Sequence, residues 1–201
     1  PKEVTNQAGV VKPMLAKKYQ DVNPKLLENE WIVSRKINGV RCLMYFKDGE
    51  IHTCSRTAIN YDVVTTSIRT HPQLIDFFTK NPNIILDGEL FKLNWTLNDI
   101  SGLCRKEEWD PKMENIEYYL YDMVLPTVKF KDRLSIIEDF SKKLNLTFCP
   151  NRNWEFKDLK IQILPHVKMR GSENIKKYHD KYVEEGWEGL VIRNPESVYK
   201  V

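Results

Sequence analysis

The chain has 201 residues, with 31 basic against 28 acidic side chains and a net charge of +3, a balance too even to demand a polyanion-coating surface. Hydrophobic residues at 41% and charged residues at 29% exclude a disordered or fibrous chain and are enough to close a core without staples. Cys42, Cys54, Cys104 and Cys149 show no CxxC spacing, which argues against a zinc site and for a reduced, intracellular protein, and the absence of an apolar run of about 18 residues or a signal pattern argues against a membrane partner.

Residues 1–12 are polar, and Lys12-Pro13-Met14-Leu15-Ala16 begins an apolar anchor. Asp21–Asn29 reads as a short helix with Pro24 in its first turn. Three strands follow, Trp31–Arg35, Gly39–Phe46 and Ile51–Ser55, with Asp48-Gly49 as a hairpin signal between the last two. Asp62–Lys80 has helical spacing, and Pro72 splits it. Ile84–Phe91 is a strand with a charged insert, Thr96–Glu107 a helix, and Ile116–Val124 a tyrosine-rich strand. Asp132–Leu144 is amphipathic, with Leu134, Ile136, Ile137 and Phe140 as its apolar positions. Ile161–Leu164 is a short strand. Ser172–Glu185 is a helix with Ser172 as its N-cap and Gly186 as its stop. Leu190–Arg193 is the last strand. No Pro-, Gly- or Ser-rich linker interrupts the chain, so residues 1–201 are expected to form one domain of mixed α and β elements.

Four stretches could carry chemistry. In Ser34-Arg35-Lys36-Ile37-Asn38-Gly39-Val40-Arg41, the cations Arg35, Lys36 and Arg41 surround a turn between apolar strands. Such a cluster suits a polyphosphate, and a lysine that sheds its proton becomes a nucleophile. Gly39 would let a backbone approach a ligand closely. On local sequence alone, a solvated lysine in a hairpin explains the stretch as well. Asp87-Gly88-Glu89 puts two carboxylates on one strand face, where a divalent metal, a ribose hydroxyl or simple exposure at a strand end would account for them. Glu188-Gly189 leads into Leu190-Val191-Ile192-Arg193 in the same manner. Alternation sends Tyr119 and Tyr121 to one face, with Tyr118, Leu120 and Asp122 on the other. The aromatic face could stack on a base, or could be core.

The order of these stretches resembles the nucleotidyltransferase domain of ATP-dependent DNA ligases, within the superfamily shared with RNA ligases and capping enzymes. The family's Lys-x-Asp-Gly-x-Arg element stands here as Lys36-Ile37-Asn38-Gly39-Val40-Arg41. Ser55-Arg56, Asp87-Gly88-Glu89-Leu90, Tyr121-Asp122 and Glu188-Gly189-Leu190-Val191-Ile192-Arg193 follow in the family order. The likeness covers about residues 12 to 198.

The resemblance implies an α+β fold of two antiparallel sheets flanked by helices, ATP-grasp-like, with the nucleotide between them. It implies that Lys36 attacks the α-phosphorus of ATP and carries AMP, which passes to a 5′-phosphate at a nick in double-stranded DNA. Asn38 would share the catalytic centre. Arg35, Arg41, Arg56 and Glu89 would bind the nucleotide, and Tyr121, or Tyr119 if the register slips, would stack on adenine. Asp87 and Glu188 would hold Mg²⁺. A monomer is expected.

Two departures bear on this reading. Asn38 stands where the family has Asp, which removes a charge that would hold Lys36 as an ammonium, so adenylation is expected to persist and nick closure to slow. The family's Lys-x-Lys element and OB-fold domain do not occur in these residues and are expected to be absent. An RNA ligase, a capping guanylyltransferase and a non-catalytic binding module of the same fold are the alternatives. An NAD-dependent ligase is disfavoured by the short stretch before Lys36.

Overall fold

The computed structural model describes residues 17–18 and 21–199; the expected anchor Lys12–Ala16 lies outside the described residues. The strands are β1 (Lys17–Lys18), β2 (Trp31–Lys36), β3 (Val40–Lys47), β4 (Glu50–Cys54), β5 (Ile85–Phe91), β6 (Glu117–Met123), β7 (Ile161–Ile163), β8 (Val167–Met169) and β9 (Gly189–Arg193). The helices are α1 (Thr66–Arg69), α2 (Pro72–Lys80), α3 (Leu97–Cys104), α4 (Phe130–Lys143) and α5 (Ser172–Glu184). Among the described residues the strands form two sheets, ordered β1-β9-β2-β8 and β4-β3-β5-β6-β7. All pairings are antiparallel except β6 with β7. The chain between those two strands runs through α4, the kind of crossover that a parallel pair requires, and apart from this edge the two sheets are antiparallel as expected.

The expected three-strand meander is broken at the stretch that carries Lys36. β2 pairs with β8 and β9, and β3 pairs with β4 and β5. Both sides of each strand are therefore taken, and Ile37–Gly39 is a crossing from one sheet to the other rather than a hairpin. The next connection is the expected hairpin. Lys47 faces Glu50, while Asp48 and Gly49 take φ of 52° and 78°, the left-handed pair that an Asp-Gly turn supplies.

Pro72 does divide the expected helix, opening α2 where its missing N–H costs no hydrogen bond. A capping box between Thr96 and Asp99 starts α3. α5 is capped by Gly171, and Ser172 is already its first residue, so the expected serine cap is corrected. Asp21–Asn29 is a 3-10 turn, Pro24–Glu28, capped by the Asn23 side chain. The short strand β8 has no counterpart in the sequence reading.

Leu74, Phe77 and Phe78 of α2 are buried against the larger sheet, with Phe78 stacked on Phe46 at 6.2 Å and Phe77 against Phe140 of α4 at 5.1 Å. Side chains of this size each stabilise the fold by about 1.5–3 kcal/mol when fully buried. α5 packs on β9 and α4 on β6. The two sheets meet through Trp187, 5.8 Å from Phe91, and through Arg193, 5.1 Å over the Tyr121 ring.

Candidate active site

The crossing from β2 to β3 forms one wall of a cleft of about 500 Å³, lined by Lys36, Asn38, Gly39, Arg41, Ser55, Arg56, Tyr61, Glu89 and Glu188 among others. Lys36 ends β2 opposite Gly189, which opens β9. That register sets Lys36 beside Glu188, and its Nζ donates to Glu188 Oε1 at 2.6 Å. Both side chains keep contact with solvent, at 25% and 41% exposure.

Gly39 is needed for a different approach from the one anticipated. A Cβ there would lie 2.3 Å from the Leu90 carbonyl oxygen, so only glycine lets the crossing pass β5. The Gly39 N–H then donates to Glu89 Oε2 at 3.0 Å. Burial outweighs that hydrogen bond and the nearby Arg41, and pushes the Glu89 carboxyl up to about 7. Asn38 projects from the same crossing and is exposed. On the far side of the cleft, the Ser55 hydroxyl accepts from the N–H groups of Thr57 and Ile59 at 3.1 and 2.9 Å. This tight loop presents Arg56 to solvent at the cleft, with no ion-pair partner among the described residues.

Beneath the rim lies a floor of buried charge. Asp87 is fully buried. Its carboxylate accepts from Arg41 Nε and Nη2 at 2.7 and 2.6 Å and from the Tyr199 hydroxyl at 2.6 Å. The ladder between β5 and β6 slips at Asp87/Gly88, so that Asp122 stands opposite Asp87 and Leu120 opposite Gly88. Tyr121 is the residue left over by this bulge. The slip breaks the expected alternation and brings Asp122 alongside Asp87. Asp122 accepts from Arg133 of α4 at 2.8 and 3.2 Å. Burial raises the Asp122 carboxyl despite that arginine.

Of the residues expected in the site, Lys36, Asn38, Arg41, Arg56, Glu89 and Glu188 come together at the cleft. Arg35 does not. Strand alternation turns it away from Lys36, and its guanidinium sits over Phe148 and Tyr182 at 4.7 and 4.5 Å while Nε binds Glu185 at 3.0 Å. The two arginines expected to crowd Lys36 with positive charge are thus each neutralised, Arg35 by Glu185 and Arg41 by Asp87. Asp87 does not stand with Glu188 as a metal pair, because its oxygens already serve Arg41 and Tyr199. Among the described residues no group of three or more His, Cys, Asp or Glu side chains could hold a metal ion. The donors present suit Mg²⁺ held mainly by a nucleotide's phosphates with one carboxylate, Glu188, rather than by a protein cage.

Tyr121 is buried, its ring lying between Arg41 at 5.4 Å and Arg193 at 5.1 Å, and its hydroxyl 3.3 Å from Glu89 Oε1. Tyr119 is buried against Phe91 and Phe148 and donates to Glu117. Neither lines the cleft. Tyr61 does, and sequence reasoning missed it; its place six residues beyond Ser55, past the loop that returns to β4, was the available signal. Arg133 and Tyr199 were missed as well, because nothing local marks a helix arginine or a late tyrosine as buried.

Residues 13–201 match the family model described as ATP dependent DNA ligase domain. No curated protein sequence is similar to this chain. Among solved structures, Pmar-Lig_Pre superposes with a TM-score of 0.73 at 17% identity, over 96% of this chain and 45% of that one. The ATP-dependent DNA ligase of bacteriophage T7, in complex with ATP, gives 0.71 at 17% identity, over 94% of this chain and 65% of that one. The Chlorella virus DNA ligase-adenylate gives 0.64 at 20% identity, over 94% and 63%. The chain therefore spans about 45% of the length of the first of these structures, and the likeness to all three is one of fold.

Proposed function

This chain belongs to the ATP-dependent DNA ligase domain family, and on that premise we propose that it is an adenylation domain in which Lys36 becomes covalently linked to AMP. The observation that carries the reading is the Lys36–Glu188 contact at 2.6 Å, at the mouth of a cleft flanked by Arg41 and Arg56. Lys36 Nζ attacks the α-phosphorus of ATP. A nitrogen–phosphorus bond forms, the bond to the bridging oxygen breaks, and pyrophosphate leaves with the electron pair. Glu188, already in contact with Nζ, is placed to take the proton. Arg56, at the cleft, binds phosphate oxygens. Arg41 and Glu89 face the sugar, while Tyr121, with Arg41 and Arg193 over its ring, backs Arg41 from the floor instead of taking the adenine.

Glu188 is also the carboxylate that would hold Mg²⁺, which when bound supplies charge to screen the phosphates. The acceptor of AMP is a 5′-phosphate at a nick in double-stranded DNA, and a 3′-hydroxyl then displaces AMP to close the strand. Among the described residues no helix is long and apolar enough to cross a membrane. Incubation with α-labelled ATP and Mg²⁺, beside labelled GTP, tests the reading. Acid-labile label from ATP alone, chased onto nicked DNA in preference to nicked RNA, is the expected result. Label from GTP would point to a capping enzyme, and transfer chiefly to RNA to an RNA ligase.

A further inference from the structure

We propose that Tyr199 is a positioning residue for the nucleotide, acting on Arg41 through Asp87; this rests on the adenylation reading above. The segment after β9 is laid along the start of α4. The Phe130 N–H donates to the Ser197 carbonyl at 2.7 Å, the Lys131 N–H to that of Pro195 at 3.0 Å, and Val198 bridges Lys129. Arg133 Nη1 adds a bond to the Ser197 carbonyl at 3.2 Å. This strap delivers the Tyr199 ring into a buried cluster with Leu43, Cys54 and Val124. Its hydroxyl lands 2.6 Å from Asp87 Oδ2, the oxygen that also accepts from Arg41 Nη2.

The fork between Arg41 and Asp87 fixes the two groups relative to each other, because both guanidinium bonds go to one carboxylate. It does not fix the pair relative to the smaller sheet. Tyr199 does, since it comes from the segment that continues β9. A second path closes the circuit. Arg133 lies 5.4 Å over Tyr199 and 5.2 Å over Phe130. Arg193 lies 5.4 Å over Phe130 and 5.1 Å over Tyr121, and Arg41 lies 5.4 Å over Tyr121. Guanidinium and aromatic groups alternate from Arg41 back to Tyr199, each contact worth little singly and together holding the floor in one arrangement. Arg41 reaches the cleft from this floor, so the seating of residues 194–199 sets where Arg41 meets the nucleotide.

The test follows the rate of Lys36 labelling against ATP concentration in the parent, Tyr199→Phe, Arg41→Lys and the double variant. Tyr199→Phe keeps the ring and removes the donor to Asp87. It is expected to raise half-saturating ATP about tenfold with the maximal rate within about threefold, the signature of lost nucleotide binding. The double variant is expected to match Arg41→Lys alone, because Tyr199 acts through Arg41. Unchanged half-saturation, or effects that multiply in the double variant, overturns the inference. If Tyr199→Phe melts below the assay temperature, fluorotyrosine at position 199 in the otherwise unaltered protein reads the same coupling. Its fluorine resonance should shift on saturation with a non-cleavable ATP analogue in the parent and stay still in Arg41→Lys; a still resonance in the parent overturns the inference. Absence of label in the parent would instead count against the adenylation reading.

Discussion

The rim and the floor of the cleft use the same residue types under opposite physical conditions. At the rim, Lys36, Asn38, Arg56 and Glu188 meet solvent, and the Lys36–Glu188 pair is a partly exposed contact of 2.6 Å. Such a pair contributes little to stability and can be broken without collapse. On the floor, Asp87, Asp122, Arg41 and Arg133 are held in forks from the larger sheet and a helix, with Asp87 and Arg133 fully buried. A broken fork there strands a charge in a low-dielectric interior. Carboxylates two residues apart on one strand, Asp87 and Glu89, thereby part company: one braces an arginine, the other faces the cleft. On the proposed reading, chemistry belongs to the rim and geometry to the floor.

The largest test of that division is at Lys36. Lys36→Ala should abolish labelling by ATP, a loss beyond about a thousandfold, while thermal unfolding stays close to the parent's. A large drop in melting temperature would place Lys36 on the floor side. Asp122→Asn is the converse. It leaves Arg133 buried without its carboxylate and should cost about 3–5 kcal/mol, a fall of about 10 °C in melting temperature for a domain of this size. A melting temperature near the parent's would show that the buried fork does not brace the floor.

Glu89 sits between the two regions and should show it through pH. Its ordinary value is 4.5, and burial raises it to about 7. The folded state thus binds a proton that the unfolded chain has already released, so the stability this gives is full below 4.5 and lost as pH rises through 7. Glu89→Gln cannot ionise. It should gain on the parent across that window by about 2 kcal/mol, less than the full shift because the side chain keeps some solvent contact. Denaturant unfolding at several pH values measures the gap; a gap independent of pH would contradict the assignment.

Arg56→Ala should raise half-saturating ATP about tenfold, with stability within about 0.5 kcal/mol of the parent. Unaltered binding would remove Arg56 from the site. Asn38→Asp is the smallest change. It should leave stability within about 0.5 kcal/mol and quicken nick closure relative to adenylation. Unchanged rates for every step would show that the missing charge at this position has no role.

Most of the rim was legible in the sequence because Lys36, Asn38 and Glu188 lie in short runs with glycine beside them, Lys36 to Gly39 and Glu188-Gly189, while Arg56 was marked by the Ser55-Arg56 pair. The floor was not. Tyr121 and Asp122 were expected on opposite faces because strict alternation ignores a bulge, and the bulge exists only once β5 and β6 are paired. The helix α4 was expected to bury Leu134, Ile136, Ile137 and Phe140, yet Ile136 is 40% exposed and Arg133 is fully buried. Hydrophobicity cannot predict an inward arginine whose reason is a carboxylate on another element. The crossing at Ile37–Gly39 looked like a hairpin for the same cause: the partners of β2 and β3 arrive from distant sequence, β9 from beyond residue 188.

The central claim is that the lysine at the rim is the nucleophile, and mapping the covalent adenylate tests it most directly. The protein is incubated with α-labelled ATP and Mg²⁺, digested under alkaline conditions that preserve a phosphoramidate, and the labelled peptide is sequenced by mass spectrometry. The account predicts one AMP on Lys36, lost on acid treatment and absent from Lys36→Ala. Stoichiometric label on any other residue, or label that survives in Lys36→Ala, would contradict it.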